Sequence, residues 1–135
     1  MKVAVSGYFD PIHVSHLEYF KYAKELGDYL IVIVNNDYQC SLKKGKAFMP
    51  EQDRLRIASS IKGVDEVVLS IDQDRTVCKT LEMINPDIFA NGGDRSNKEI
   101  PESKVCREYN IKLVDGLGSK IRSSSDLTGL KEKNK

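Results

Sequence analysis

Val3-Ala4-Val5-Ser6-Gly7-Tyr8-Phe9-Asp10-Pro11-Ile12-His13-Val14-Ser15-His16 decides the fold. Its apolar run, Val3 to Val5, reads as a buried strand. Gly7 opens a turn, and a helical pattern runs from Val14 to Leu26 with Tyr19, Phe20, Ala23 and Leu26 on one face. Gly27-Asp28 ends that helix. A strand, a glycine-containing turn and a helix start make an anion-binding geometry, because the first helical N–H groups are free and carry the positive end of the dipole. The two histidines of the chain, His13 and His16, both stand there and add donors suited to phosphate oxygens.

Outward from this stretch, apolar runs alternate with helical patterns. Further strands are expected at Tyr29 to Val34, Val67 to Leu69, Asp87 to Ala90 and Ile111 to Val114. Helices are expected at Glu51 to Ile61, Val77 to Ile84, Glu102 to Tyr109 and Ser123 to Leu130. Asn35-Asn36-Asp37 reads as the opening of a loop, and Ser41 to Met49 as a lysine-rich stretch without periodicity. The alternation predicts a Rossmann-like α/β fold: a parallel five-stranded sheet with helices on both faces. One domain over residues 1–135, with a polar tail at 131–135, suits the length. Ligands of such sheets bind at the carboxyl ends of the strands.

A formal net charge of +1 gives no basic field for nucleic acid. No apolar run is long enough to span a bilayer. Cys40, Cys78 and Cys106 are odd in number and far apart, so they make neither a disulfide framework nor a metal motif, and a cytoplasmic setting is expected.

Several residues carry chemistry in this pattern. His13 and His16 are three apart and face nearly the same side of a helix start. A structural pair is the bland alternative, since His16 shares a face with Phe20 and Ala23. With Asp10 the pair has the composition of a two-histidine, one-carboxylate metal triad, but the tight spacing at a helix N-terminus favours phosphate. Asp10 alone is a good turn cap. Lys43, Lys44 and Lys46 are either a solvated face or a grip on phosphate. Arg54 falls on the apolar face of its helix with Ile57, Ala58 and Ile61, so it either snorkels at the edge of that face or meets an anion or carboxylate, and a site or subunit-interface role is favoured over a plain surface one. Asn91-Gly92-Gly93-Asp94 is a glycine turn after a strand, and Ser123-Ser124-Ser125-Asp126 is a helix cap whose hydroxyls also suit phosphate.

Gly7-x-Phe9-Asp10-x-x-His13-x-x-His16 resembles the signature of the cytidylyltransferase-like nucleotidyltransferases, with Ser15 where the family has glycine. The loop Gly92-Gly93-Asp94 resembles that of the heptose-phosphate enzymes and the Gly-Asp-Asp loop of the glycerol-phosphate cytidylyltransferases. The resemblance implies a homodimer that transfers a nucleoside monophosphate from a triphosphate to a phosphorylated small molecule and releases pyrophosphate. It implies CTP as the first choice of donor, ATP as the alternative, and Mg²⁺ with the triphosphate. The acceptor is left open among polyol phosphate, sugar phosphate and flavin mononucleotide, and a nucleotide-binding protein of low turnover is the non-enzymatic alternative. His13, His16, Lys44 and Lys46 would act on the phosphates. Tyr8, Phe9, Asp10, Ser15, Gly92, Gly93, Asp94, Arg122, Ser123, Ser124 and Ser125 would contact the nucleotide. Arg54 and Arg95 would meet the acceptor or a second subunit, and Asp10 would help hold the metal.

Overall fold

The computed structural model describes residues 1–92, 100–115 and 117. They form one parallel sheet whose strands are β1 (Lys2–Gly7), β2 (Tyr29–Val34), β3 (Glu66–Leu69), β4 (Ile88–Ala90) and β5 (Lys112–Val114). The helices are α1 (Val14–Lys24), α2 (Asp37–Lys44), α3 (Glu51–Ser59), α4 (Cys78–Ile84) and α5 (Glu102–Glu108). The strand order is β3-β2-β1-β4-β5. All pairs are parallel, with Val3 opposite both Leu30 and Ile88. The expected Rossmann-like architecture is therefore present.

The period of two along the strands sorts the core into two layers. Val3 and Val5 of β1, Leu30, Val32 and Val34 of β2, and Ile88 and Ala90 of β4 pack with Tyr19, Phe20 and Ala23 of α1 and Ala58 of α3. Ala4, Ile31, Ile33 and Phe89 face the other way, onto Leu81 of α4 and Val105 and Cys106 of α5. Burying both faces explains why the strands read as continuous apolar runs. Each fully buried Leu or Phe contributes about 1.5–3 kcal/mol.

The chain runs from β1 outward to β3, then crosses to β4 on the opposite side of β1. The order reverses between β1 and β4, so a crevice opens at their carboxyl ends. A buried hydrogen bond on the α1 face spans this point: the Tyr19 hydroxyl donates to the Ala90 carbonyl at 2.6 Å.

The sequence reading errs at α2, where it expects a loop from Asn35 and an aperiodic stretch from Ser41. Asn36 instead caps a helix reciprocally: its Oδ1 accepts the Gln39 N–H at 2.8 Å, and Gln39 Oε1 accepts the Asn36 N–H at 3.0 Å. Gly45, at φ 93°, ends the helix. Lys43 and Lys44 thus lie on the last turn of α2 rather than in a loop. Elsewhere the element ends differ from expectation by one or two residues. The helix expected at Ser123 to Leu130 and the tail at 131–135 lie outside the described residues.

Candidate active site

Gly7 closes β1, and the chain then turns so sharply that Phe9 adopts φ 51° and folds its ring back over Gly7. A Cβ at position 7 would lie 2.6 Å from Phe9 Cζ, so only glycine fits. Phe9 is 2% exposed and stands edge-on to Phe20 at 5.3 Å and to His16 at 4.9 Å. The sequence reading gave Phe9 to the nucleotide. Its ring is instead in the core, where it backs His16.

His13 is the N-cap of α1, and its Nδ1 accepts the Ser15 N–H at 3.2 Å. His16 Nδ1 accepts the His13 N–H at 3.1 Å, so the two imidazoles form a reciprocal capping box. The rings stack at 4.0 Å. Because each Nδ1 is an acceptor, the neutral ring of each carries its hydrogen on Nε2. Burial, and then the charge of His13, push His16 down to about 4. Near neutral pH the helix start therefore presents Nε2–H donors beside the helix dipole, with His16 uncharged. Ser15 is exposed on the same turn and its N–H is already used by His13.

Asp10 is held by a different segment, the end of α2 and the residues before α3. Its carboxylate accepts the N–H groups of Phe48 at 2.7 Å and Met49 at 2.6 Å, and pairs with Lys44 Nζ at 2.8 Å. Lys44 also donates to the Asp10 carbonyl at 3.1 Å. Burial alone raises the Asp10 pKa; the hydrogen bond from the Lys44 ammonium and those two N–H groups outweigh it and hold the carboxyl below its ordinary value. With its side chain 0% exposed and both oxygens engaged, Asp10 does not fit the expected role of a metal ligand. No group of three or more metal-ligating side chains exists among the described residues. Mg²⁺, which prefers phosphate oxygens and water, would be carried by the triphosphate itself.

Arg54 is also a correction. Expected at an acceptor or subunit contact, it is fully buried. Its Nε donates to Met49 O at 3.0 Å, Nη1 to Tyr8 O at 2.8 Å and Asn35 O at 2.6 Å, and Nη2 to the Asp37 carboxylate at 2.7 Å. The guanidinium joins the loops after β1, after β2 and before α3, and so shapes the site without facing solvent.

Lys43 lies over the Tyr8 ring, with Nζ 4.4 Å from its centre. Lys46 is exposed and has no ion pair or hydrogen bond among the described residues. Gly92 follows β4, as expected. Gly93, Asp94, Arg95, Arg122, Ser123, Ser124 and Ser125 lie outside the described residues. The sequence reading missed Tyr19, whose hydroxyl bonds the end of β4, and Arg75, which lines a cavity of about 430 Å³ with Ser6, Tyr8, Phe89 and Asn91. Tyr19 carried no signal beyond its place on an apolar helix face; Arg75 carried none. A larger cavity, about 710 Å³, opens beside α1 among Leu17, Phe20 and Ile61, and none of the expected site residues lines it.

The sequence pattern of the family described as cytidylyltransferase-like matches residues 4–116. A FAD synthase of Ferroglobus placidus is 42% identical over 111 residues, covering 82% of this chain and 71% of that protein. The bifunctional protein HldE of a Nitratiruptor species is 37% identical over 115 residues, covering 84% of this chain but only 24% of that protein, so the chain spans about a quarter of its length. Among solved structures, a lipopolysaccharide core biosynthesis protein of Thermoplasma volcanium superposes with a TM-score of 0.71 at 28% identity, covering 85% of this chain and 94% of that one.

Proposed function

Because the chain belongs to the cytidylyltransferase-like family of nucleotidyltransferases, we propose that it transfers the AMP of ATP to flavin mononucleotide, releasing pyrophosphate and forming FAD. The observation that carries this reading is the likeness to a FAD synthase along most of both chains. The HldE likeness is confined to a quarter of a larger protein.

In this reading an acceptor phosphate oxygen attacks the α-phosphorus of the triphosphate. The bond from that phosphorus to the bridging oxygen breaks, and pyrophosphate leaves with the electron pair. A phosphate oxyanion is already a nucleophile, so no general base is required. The triphosphate lies across the start of α1, where Nε2–H of His13 and His16 and the positive end of the helix dipole face charge that builds on the α-phosphate and on the leaving group. Lys46 supplies a mobile cation. Lys44 does so once it exchanges Asp10 for phosphate. The roles expected of Gly92, Gly93 and Asp94 toward the nucleoside, and of Arg122 and Ser123 to Ser125 toward the outer phosphates, belong to this proposal, as do Mg²⁺ on the triphosphate, a homodimer and a cytoplasmic setting. Among the described residues, no helix is long and apolar enough to cross a membrane.

The test is a matrix of four nucleoside triphosphates against flavin mononucleotide, glycerol phosphate and a sugar phosphate, followed by pyrophosphate release. ATP with flavin mononucleotide is expected to dominate. CTP is the competing donor, on the family's own description. A preference for CTP, or for either non-flavin acceptor, overturns the reading.

A further inference from the structure

We propose that the cavity between the carboxyl ends of β1 and β4, on the α4–α5 side of the sheet, receives the ring system of the acceptor, with Arg75 laid against that ring. This inference rests on the flavin reading above and assigns a place to the part of the acceptor that does not react.

Four observations carry it. The cavity sits at the reversal of strand order: Ser6 belongs to β1, and Asn91 follows β4 directly. Its apolar lining comes from Tyr8, Phe89 and Ile100, and Phe89 and Ile100 belong to the core layer under α4 and α5. His13 and His16, by contrast, start α1, which packs on the other layer. The two sites therefore flank one strand end. Tyr8 lines the cavity and opens the same turn that leads to His13, so one turn after β1 serves both sites.

The volume, about 430 Å³, lies in the range that accommodates a ring system and exceeds what a short polyol phosphate fills. Charge argues for a neutral polar body rather than a second phosphate. Glu102 lines the cavity, its Oε2 accepting the Val77 N–H at 3.0 Å, and so brings a carboxylate to the same lining as Arg75. Arg75 is exposed, comes from the loop between β3 and α4, and has no ion pair or hydrogen bond among the described residues. A planar guanidinium in that position lies on a ring face or donates to ring carbonyl oxygens.

The experiment is steady-state kinetics of Arg75→Ala and Arg75→Lys with ATP and flavin mononucleotide. Among the described residues Arg75 holds nothing else, so both variants are expected to melt like the wild type. Arg75→Ala is expected to raise the KM for flavin mononucleotide about fivefold or more while leaving the KM for ATP unchanged. Arg75→Lys, which keeps the charge but loses the plane, is expected to retain most of that defect. If the wild type forms FAD and Arg75→Ala has an unaltered flavin KM, or shifts the KM for ATP instead, the cavity assignment is wrong and the flavin reading stands. Full recovery in Arg75→Lys overturns the contact between guanidinium plane and ring. If the wild type forms no FAD at all, the flavin reading fails by itself and takes the ring assignment with it.

Discussion

Two helix starts in this fold use the same device to different ends. Both α1 and α2 begin with a reciprocal capping box after a parallel strand, the first built from His13 and His16, the second from Asn36 and Gln39. At α2 the remaining side-chain donors turn inward. Asn36 Nδ2 donates to the carbonyls of Ser70 and Asp72 at 3.0 and 3.1 Å, and Gln39 Nε2 to those of Asp74 and Thr76 at 2.7 and 2.8 Å. At α1 the far nitrogens of both imidazoles have no partner among the described residues. A cap whose polar atoms are all engaged fastens one strand-end loop to another. A cap with donors left over keeps them available to a ligand, as the proposed transfer requires.

The sharpest way to break this contrast is to disable each cap in turn. Gln39→Leu leaves the buried Asn36 N–H and two partly buried carbonyls without a partner, and is expected to cost about 2 kcal/mol, read by denaturant unfolding. What remains folded should still turn over. An unchanged unfolding midpoint would mean that α2 is not fastened through this residue.

His16→Asn is the complementary case. An asparagine oxygen still accepts the His13 N–H, so stability should change by less than about 1 kcal/mol. The far donor is lost, and kcat is expected to fall about a hundredfold, the effect of removing one preorganised donor. Wild-type kcat with every accepted substrate pair would remove the histidines from the transfer step.

A smaller effect sharpens the comparison through pH. His16 in the folded chain titrates at about 4, against 6.5 for a free imidazole, because burial and His13 disfavour its charged form. Between those values the unfolded chain binds more protons. Stability from this group is therefore complete above about 6.5 and is lost as the pH falls toward 4. His16→Asn should flatten that slope. Asp10, whose folded pKa is below 3.8, contributes stability that is lost only at still lower pH. An undiminished slope in the variant would assign it to other groups.

The smallest effect is expected at Ser15, where the family has glycine. Its side chain is exposed and its N–H already serves the His13 cap. Ser15→Gly should leave kcat equal to or slightly above the wild type. A large fall with unchanged melting would make the hydroxyl a donor in its own right.

Much of the sheet was legible because both its faces are buried, which writes strands as apolar runs such as Leu30 to Val34. The helix start that carries both histidines was legible because its polar side chains come from one short stretch. Helix α2 was not. Its buried side chains are Gln39 and Cys40, so it has no apolar period; the signal that was present, Asn36 with Gln39 three later, was read as turn chemistry. Arg54 was correctly placed on an inward face, yet three of its partners are main-chain carbonyls, which side-chain patterns do not reveal. Phe9 was misassigned because its burial follows from a positive φ that the sequence does not announce.

Arg54 has a consequence for how this site can change. It grips Tyr8, Asn35 and Met49 by their carbonyl oxygens, which every residue possesses. Substitutions at those three places leave the grip intact, whereas an inserted or deleted residue would carry a carbonyl out of reach. The course of the rim is thereby fixed while its side chains remain free to vary, so a lineage can exchange the side chains around the candidate site without redrawing the path of the chain.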